Sequence, residues 1–397
     1  MTRRLALFAL AALATACVHR VPTPVVLALP PPRPRPTTAR ALTAPDRTIH
    51  FAPIEIKSSP ASMAVDSLND EELFAIGTAA MASGDNAKAV LHFERLADFF
   101  PASKHRPKAL YDSGLLLEKM KDFAGAVGRF TQAVKAFGET TKDGIDARFK
   151  LADAYFFLGE YDAAQQVLQA LAQAPEVTPL EQAQADTRRG IVLFTAGRLD
   201  EAELLLRKTI DFIHQDLADE VQDEYLPSQA EFYVAEIFRQ HFLQAKLDPA
   251  TSTKEELIND LEYKAQMLLS AQGHYLRCIR FGHPEWATAS GFRIGELYQK
   301  LYGQMVNSKV PLGLNAEEAQ VYRDELKSRI RVLVTKAIDA YEETLSTAQR
   351  VGATNPFVAE TRAELDQMKS LLVQDGATAK TAPGKPAPTP PPAKGSS

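Results

Sequence analysis

A chain of 397 residues suffices for two or three ordinary domains, and 45% apolar with 24% charged residues is the balance of a soluble globular protein, which excludes a polytopic membrane protein. The formal net charge of -5 is unevenly spread: residues 18–60 carry six Lys/Arg against two Asp/Glu, and the body, residues 61–374, holds about -13. So acidic a body has no basic face with which to displace counterions from phosphates, so a nucleic-acid partner is not expected.

Met1 to Cys17 has the layout of a secretory signal. Arg3 and Arg4 form a basic start, and Leu5 to Leu13 is an apolar stretch too short to span a bilayer. Its end, Leu13-Ala14-Thr15-Ala16-Cys17, resembles the lipobox of bacterial lipoproteins, except that the usual leucine three places before the cysteine is Ala14. Ala14-Thr15-Ala16 is also an A-x-A site for ordinary signal peptidase. The resemblance implies that Cys17 becomes the acylated first residue, carrying palmitate-type chains; several chains on one residue anchor a protein stably, where one does not. Val18 in second place then implies the outer membrane, with the body facing the periplasm.

Residues 18–60 hold ten of the 25 prolines, including Pro30-Pro31-Pro32-Arg33-Pro34-Arg35-Pro36. Such a segment buries too little apolar surface to offset its ordering entropy and favours polyproline II, so it reads as a disordered tether. It spans at most about 130 Å if fully extended in that form, and about 35 to 40 Å as a coil.

An internal repeat fills residues 61–210. Gly84-Asp85-Asn86-Ala87-Lys88-Ala89, Lys121-Asp122-Phe123-Ala124-Gly125-Ala126, Gly159-Glu160-Tyr161-Asp162-Ala163-Ala164 and Gly197-Arg198-Leu199-Asp200-Glu201-Ala202 recur at 37, 38 and 38 residues. Seven places before each turn stand Gly77, Gly114, Ala152 and Gly190, small enough for two antiparallel helices to approach closely. Beyond the turn come Ala89, Ala126, Ala164 and Ala202, then the large groups Phe93, Phe130, Leu168 and Leu206. These four units resemble tetratricopeptide repeats. The resemblance implies an all-α, right-handed solenoid of helix pairs. Phe99-Phe100-Pro101-Ala102-Ser103 resembles a linker of bacterial envelope proteins of this class, notably the lipoprotein of the β-barrel assembly machinery and a coordinator of cell-wall synthesis.

Past Ile210 the repeat loosens but helix signals continue, with helices expected at about 228–246, 253–279, 284–308, 316–349 and 356–374. Ser252-x-x-Glu255 and Asn315-x-x-Glu318 are capping-box candidates, and His283-Pro284 and Asn355-Pro356 put proline just inside a helix start. Pro284 to Tyr298 has the small-residue spacing of another first helix, so residues 211–374 read as degenerate repeats closing the solenoid. The combination is similar to lipoproteins of myxobacterial gliding-motility complexes. From Asp375 the composition turns Ala/Pro/Lys-rich and reads as a disordered tail.

No catalytic constellation emerges. The eight histidines make no HExxH pair, Cys278 alone builds no zinc framework, and neither a G-x-S-x-G elbow nor a Walker loop is present. The expectation is a protein that is not an enzyme, with no metal, no cofactor and no small-molecule substrate. Cys278 and Trp286 read as core residues. In tetratricopeptide domains the first helices line a concave groove; carried over, that resemblance implies a partner-binding set of Phe74 and Met81, then Tyr111, Leu115, Glu118 and Lys119, then Phe149, Asp153, Phe156 and Phe157, then Thr187, Ile191 and Phe194. Phe74, Tyr111 and Phe149 would form an aromatic ladder, suited to an extended peptide or a helix, unless the rings pack on the neighbouring repeat or on the chain's own arm. A carboxylate clamp is doubtful, because Lys108 and Lys119 are answered in the third repeat by Asp146 and Phe157.

The expected role is therefore a noncatalytic adaptor binding envelope proteins within a motility, secretion, β-barrel insertion or wall-synthesis machine. A chaperone or pilot for an outer-membrane or secreted subunit is the alternative, and a wall-binding or wall-modifying protein a weaker one.

Overall fold

The computed structural model describes residues 65, 67–217, 224–247, 254–307, 310 and 314–381. The signal and lipobox with Cys17, the tether, Ser252 and the tail from residue 382 lie outside the described residues. Among the described residues the chain is helical, with no strand.

Four helix pairs carry the repeat: α1 (Asp70–Ser83) with α2 (Asn86–Phe99), α3 (Arg106–Lys119) with α4 (Phe123–Phe137), α5 (Lys142–Leu158) with α6 (Tyr161–Ala172), and α7 (Pro179–Thr195) with α8 (Leu199–Asp216). The recurring turn is built for reversal. Gly84, Gly159 and Gly197 take φ of 81°, 87° and 77°, and Lys121 holds the same place at φ 64°, the one non-glycine with positive φ among the described residues. Asp85 and Asp122 then cap the following helices through the backbone amides of Lys88 and Gly125.

The small residues act as the spacing implied. A Cβ on Gly77 would stand 2.7 Å from the Phe93 ring, one on Gly114 2.6 Å from Phe130, and one on Gly190 2.5 Å from Leu206. Three of the four pairs thus lock through one large group seated on a bare backbone, and the third sets Ala152 in that place with Leu168. The first three repeats bury separate small clusters around Phe93, Phe130 and Leu168.

Five longer helices follow: α9 (Tyr225–Gln244), α10 (Lys254–Phe281), α11 (Pro284–Val306), α12 (Ala316–Val351) and α13 (Pro356–Thr381). They share one continuous core running from Leu193 to Met368. The Asn315 capping box is formed, and prolines open α11 and α13 as expected. The expected first-helix role of α11 holds: Cβ atoms on Gly291 and Gly295 would collide with Thr344 and Tyr341 of α12. Helix α13 continues through residues 375–381, assigned above to the tail; the first proline able to stop it is Pro383. Each helix packs on the next, and α7, α9, α11 and α13 also touch in succession, so the odd-numbered helices form one layer of an α-solenoid.

Candidate functional site

Of the expected aromatic ladder, Phe149 is buried, while Phe74 and Tyr111 are half-buried and pack on neighbouring rings. Phe74 stacks on His105 at 4.3 Å and meets Phe93 at 5.9 Å, and Tyr111 stands edge-on to Phe130 and Phe137. Phe149 is buried, with the Arg188 guanidinium 4.7 Å above its ring, and Thr187 is wholly buried. The reason lies in helix geometry. Phe74, Tyr111, Phe149 and Thr187 each precede the small residue of their repeat by three places, which puts them on the same seam-facing stripe.

Met81, Leu115 and Ile191 are half-buried. Glu118 and Asp153 join neighbouring first helices: Lys150 Nζ lies 3.4 Å from Glu118 and Arg188 donates to Asp153 at 3.0 Å. Burial pushes the Asp153 carboxyl up, against the pull of Arg188 and Lys150. Lys119 is exposed with Nζ 3.5 Å from Asn86 Oδ1, and Lys108 donates to Asp112, so neither lysine stands ready as half of a carboxylate clamp. Phe156 and Phe157 sit at the C-terminal end of α5, at one edge of the stack.

Phe194, the last expected groove residue, begins a run of rings. Its ring lies 5.6 Å from Tyr233 of α9, which lies 6.2 Å from Trp286 of α11; Tyr225 stands 5.7 Å from Trp286 and 5.1 Å from His283. Phe194, Tyr233 and Trp286 are half-buried and Tyr225 is 38% exposed. A ladder thus exists on the odd-helix layer, but in the second half of the chain. Trp286, read above as core, is a member with a partly accessible face. Tyr225 and Tyr233 escaped notice because their helix lies outside the repeat pattern.

Beneath this layer lie buried charges. Glu231 accepts from His274 Nδ1 at 2.6 Å and from Arg277 at 3.0 Å, while Arg207 of α8 lies 3.3 Å from His274 Nε2. Burial would raise the Glu231 carboxyl, but the bonds from His274 and Arg277 outweigh it and hold it below its ordinary value. Burial lowers the His274 imidazole, and the two arginines reinforce this against Glu231. Nearby, Arg239 and Arg293 alternate with Glu236 and Glu296 at 2.8 to 3.2 Å, and Tyr275 donates to Glu236. Lys264, fully buried, donates to the carbonyls of Phe242 and Ala245 at the end of α9. Every carboxylate in these clusters already faces a cation, so they serve as ties between helices rather than as an acid–base pair.

Cys278 is buried with its thiol toward the Ser228 carbonyl at 3.2 Å, and burial pushes it up to about 12, which makes it unreactive. Among the described residues no group of three or more His, Cys, Asp or Glu could hold a metal, and no helix is long and apolar enough to cross a membrane. A polar cleft of about 550 Å³ between α6, α7 and α8 contains none of the expected groove residues.

Residues 111–176 and 149–214 match the tetratricopeptide repeat family. These residues are tetratricopeptide repeats. Repeats of this kind are generally a noncatalytic scaffold for protein partners, whose stacked units present extended binding surfaces. No curated protein matches the chain. Among solved structures, the apo form of RapI is similar at 10% identity and a TM-score of 0.41, covering 79% of this chain and 100% of that one. A tetratricopeptide repeat protein from Parabacteroides merdae ATCC 43184 is similar at 16% identity and a TM-score of 0.35, covering 77% and 98%. The MamA protein is similar at 17% identity and a TM-score of 0.35, covering 52% and 92%.

Proposed function

We propose that this chain is a lipid-anchored, noncatalytic adaptor whose tetratricopeptide solenoid docks protein segments inside an outer-membrane and periplasmic machine. The observation that carries the docking is the ring run Phe194–Tyr233–Trp286 with Tyr225, which crosses three successive helices of one layer. Flat rings bury large area at little rotamer cost, and a row of them across parallel helices suits an extended segment or an amphipathic helix. The anchor rests on the Leu13–Cys17 lipobox, and the tether sets how far the body reaches from the membrane. Motility, secretion and envelope assembly are the settings that the sequence resemblances favour.

Two experiments test the two parts. Cells fed labelled palmitate should mark the wild-type chain and not Cys17→Ser; label on both would remove the anchor. Affinity capture from envelope extracts should lose its principal partner with Tyr225→Ala/Tyr233→Ala while helix content is retained. Identical partner lists would remove the ring run from the reading.

A further inference from the structure

A second surface lies at the edge of the stack where the helix pairs of repeats two and three turn. Phe123 opens α4 and stacks on Phe157 at 5.3 Å with 22° between planes. Phe156 meets Phe157 at 5.4 Å and Tyr161 at 5.9 Å. The row is unusually open for apolar groups: Phe157 is 54% exposed, and Met120 and Leu158 beside it are 49% and 42% exposed. Acids stand at both ends. Asp122 precedes Phe123, Glu160 and Asp162 flank Tyr161, all three are exposed, and the Asp162 side chain is 94% so. Against them Lys121 is exposed at one end, and Arg198, 3.9 Å from Asp162, is held at 2.6 Å by Glu201.

Rings in a row accept proline, whose polyproline II helix is already ordered and presents a ring-sized face every three residues or so. Acids at the ends select arginine among the prolines. The chain contains such a ligand. Pro30–Pro36 reads PPPRPRP and lies in a segment of net charge +4, facing a body of about -13. Reach permits it: 28 residues separate Pro36 from Val65, which is buried against the first repeat. As a coil they extend about 30 Å. At 8 to 10 Å per helix across the stack and about 20 Å along the length of α1, the row lies about 30 Å away. Tethering puts the segment at an effective concentration on the order of millimolar, so a free ligand of the same chemistry must exceed that to compete.

We propose that the segment around Pro30–Pro36 docks on the Phe123–Phe157–Phe156–Tyr161 row of its own chain, as a built-in proline- and arginine-rich ligand. This surface is separate from the ring run on α7, α9 and α11, and the proposal stands or falls apart from the adaptor reading. It draws the membrane-proximal arm across repeats two and three and shortens the reach of the tether until the arm is displaced.

The test uses the full mature chain in detergent with a photo-reactive benzoylphenylalanine at Thr37. Irradiation should give an intramolecular cross-link to residues 120–161, with a yield independent of protein concentration. Phe157→Asp, or Arg33→Glu/Arg35→Glu, should lower that yield at least fivefold. Leu204→Asp, at a 74% exposed site on α8, should leave it unchanged. Circular dichroism controls for folding. Cross-links between two chains or to a co-purified protein, or intramolecular links that Phe157→Asp does not weaken, would overturn the proposal.

Discussion

The small-to-large lock at each repeat makes a quantitative prediction that a generic preference for helix-forming residues reverses. Gly114 and Gly128 both lie inside helices of the second repeat, so by intrinsic propensity alone alanine at either should stabilise by about 0.5 to 1 kcal/mol. At Gly128 a Cβ meets nothing within 4 Å, and Gly128→Ala should gain that amount. At Gly114 a Cβ would stand 2.6, 2.8 and 2.9 Å from three atoms of the Phe130 ring, which is fully buried and has nowhere to yield. Overpacking of this kind costs about 1 to 3 kcal/mol, so Gly114→Ala should be net destabilising by about 1 to 2 kcal/mol. The third repeat supplies its own control, since it carries Ala152 with Leu168 where the second carries Gly114 with Phe130. Gly114→Ala/Phe130→Leu should therefore lose less than the sum of its single variants, with a favourable coupling of about 1 kcal/mol or more. Urea unfolding followed by circular dichroism at 222 nm measures the four variants against wild type, with the denaturant slope checked for constancy. If Gly114→Ala proves as benign as Gly128→Ala, or if Phe130→Leu gives no relief, the helices are not held apart by that contact and the reasoning fails.

Three further outcomes follow from single sites. Lys121 occupies a left-handed turn position that glycine fills in the other three repeats, so Lys121→Gly should raise stability by about 1 kcal/mol, and a loss would refute backbone strain there. Acid should loosen the junction of α8, α9 and α10. Glu231 is held low, so its stabilisation is present above the unfolded value and lost as pH falls through the folded one; His274 is also held low, so the unfolded chain takes up its proton first. His274 drives stability down as pH falls below about 6.5 and Glu231 adds its loss only below about 4.5, so Glu231→Gln should flatten the slope of melting temperature between about pH 4.5 and 3. Finally, Cys278 should ignore a thiol reagent at pH 8 until urea opens the core, because its thiol is pushed up to about 12; rapid labelling of the native chain would contradict its burial.

The first half of the solenoid was legible because one turn and one spacing repeat in it four times. Gly77 finds Phe93, Gly114 finds Phe130 and Gly190 finds Leu206, each sixteen residues on, which is about two helix turns on either side of one tight reversal. The same regularity misled the reading of the groove. A residue three places before the small one looks like the next rung of a surface, yet the helical period returns it to the seam, and so Phe149 and Thr187 are buried. What distinguishes Phe157 is position along the helix: it lies at the C-terminal end of α5 and is exposed, while Phe156 beside it is half-buried against Tyr161 of α6.

In the second half the same lock survives but its sequence distance changes. Gly295 is met by Tyr341, forty-six residues later, because α11 and α12 are long and the large group comes from late in α12. A search at fixed period cannot see such a pair, although the contact is the same in kind. Buried charge is also denser there than in the repeats, where Asp112 is buried beside Lys108. Three of them, α9, α10 and α11, run 20 to 28 residues and pack side by side; Glu231, Glu236 and His274 are buried between them, and the half-buried Arg239, Arg293 and Glu296 pair with them or with one another. That arrangement gives the solenoid one rigid, continuously packed end and one end of separate small cores. Local opening should be easiest in repeats one to three, the part nearest the tether, and that is where the arm can be accommodated at least cost to the whole.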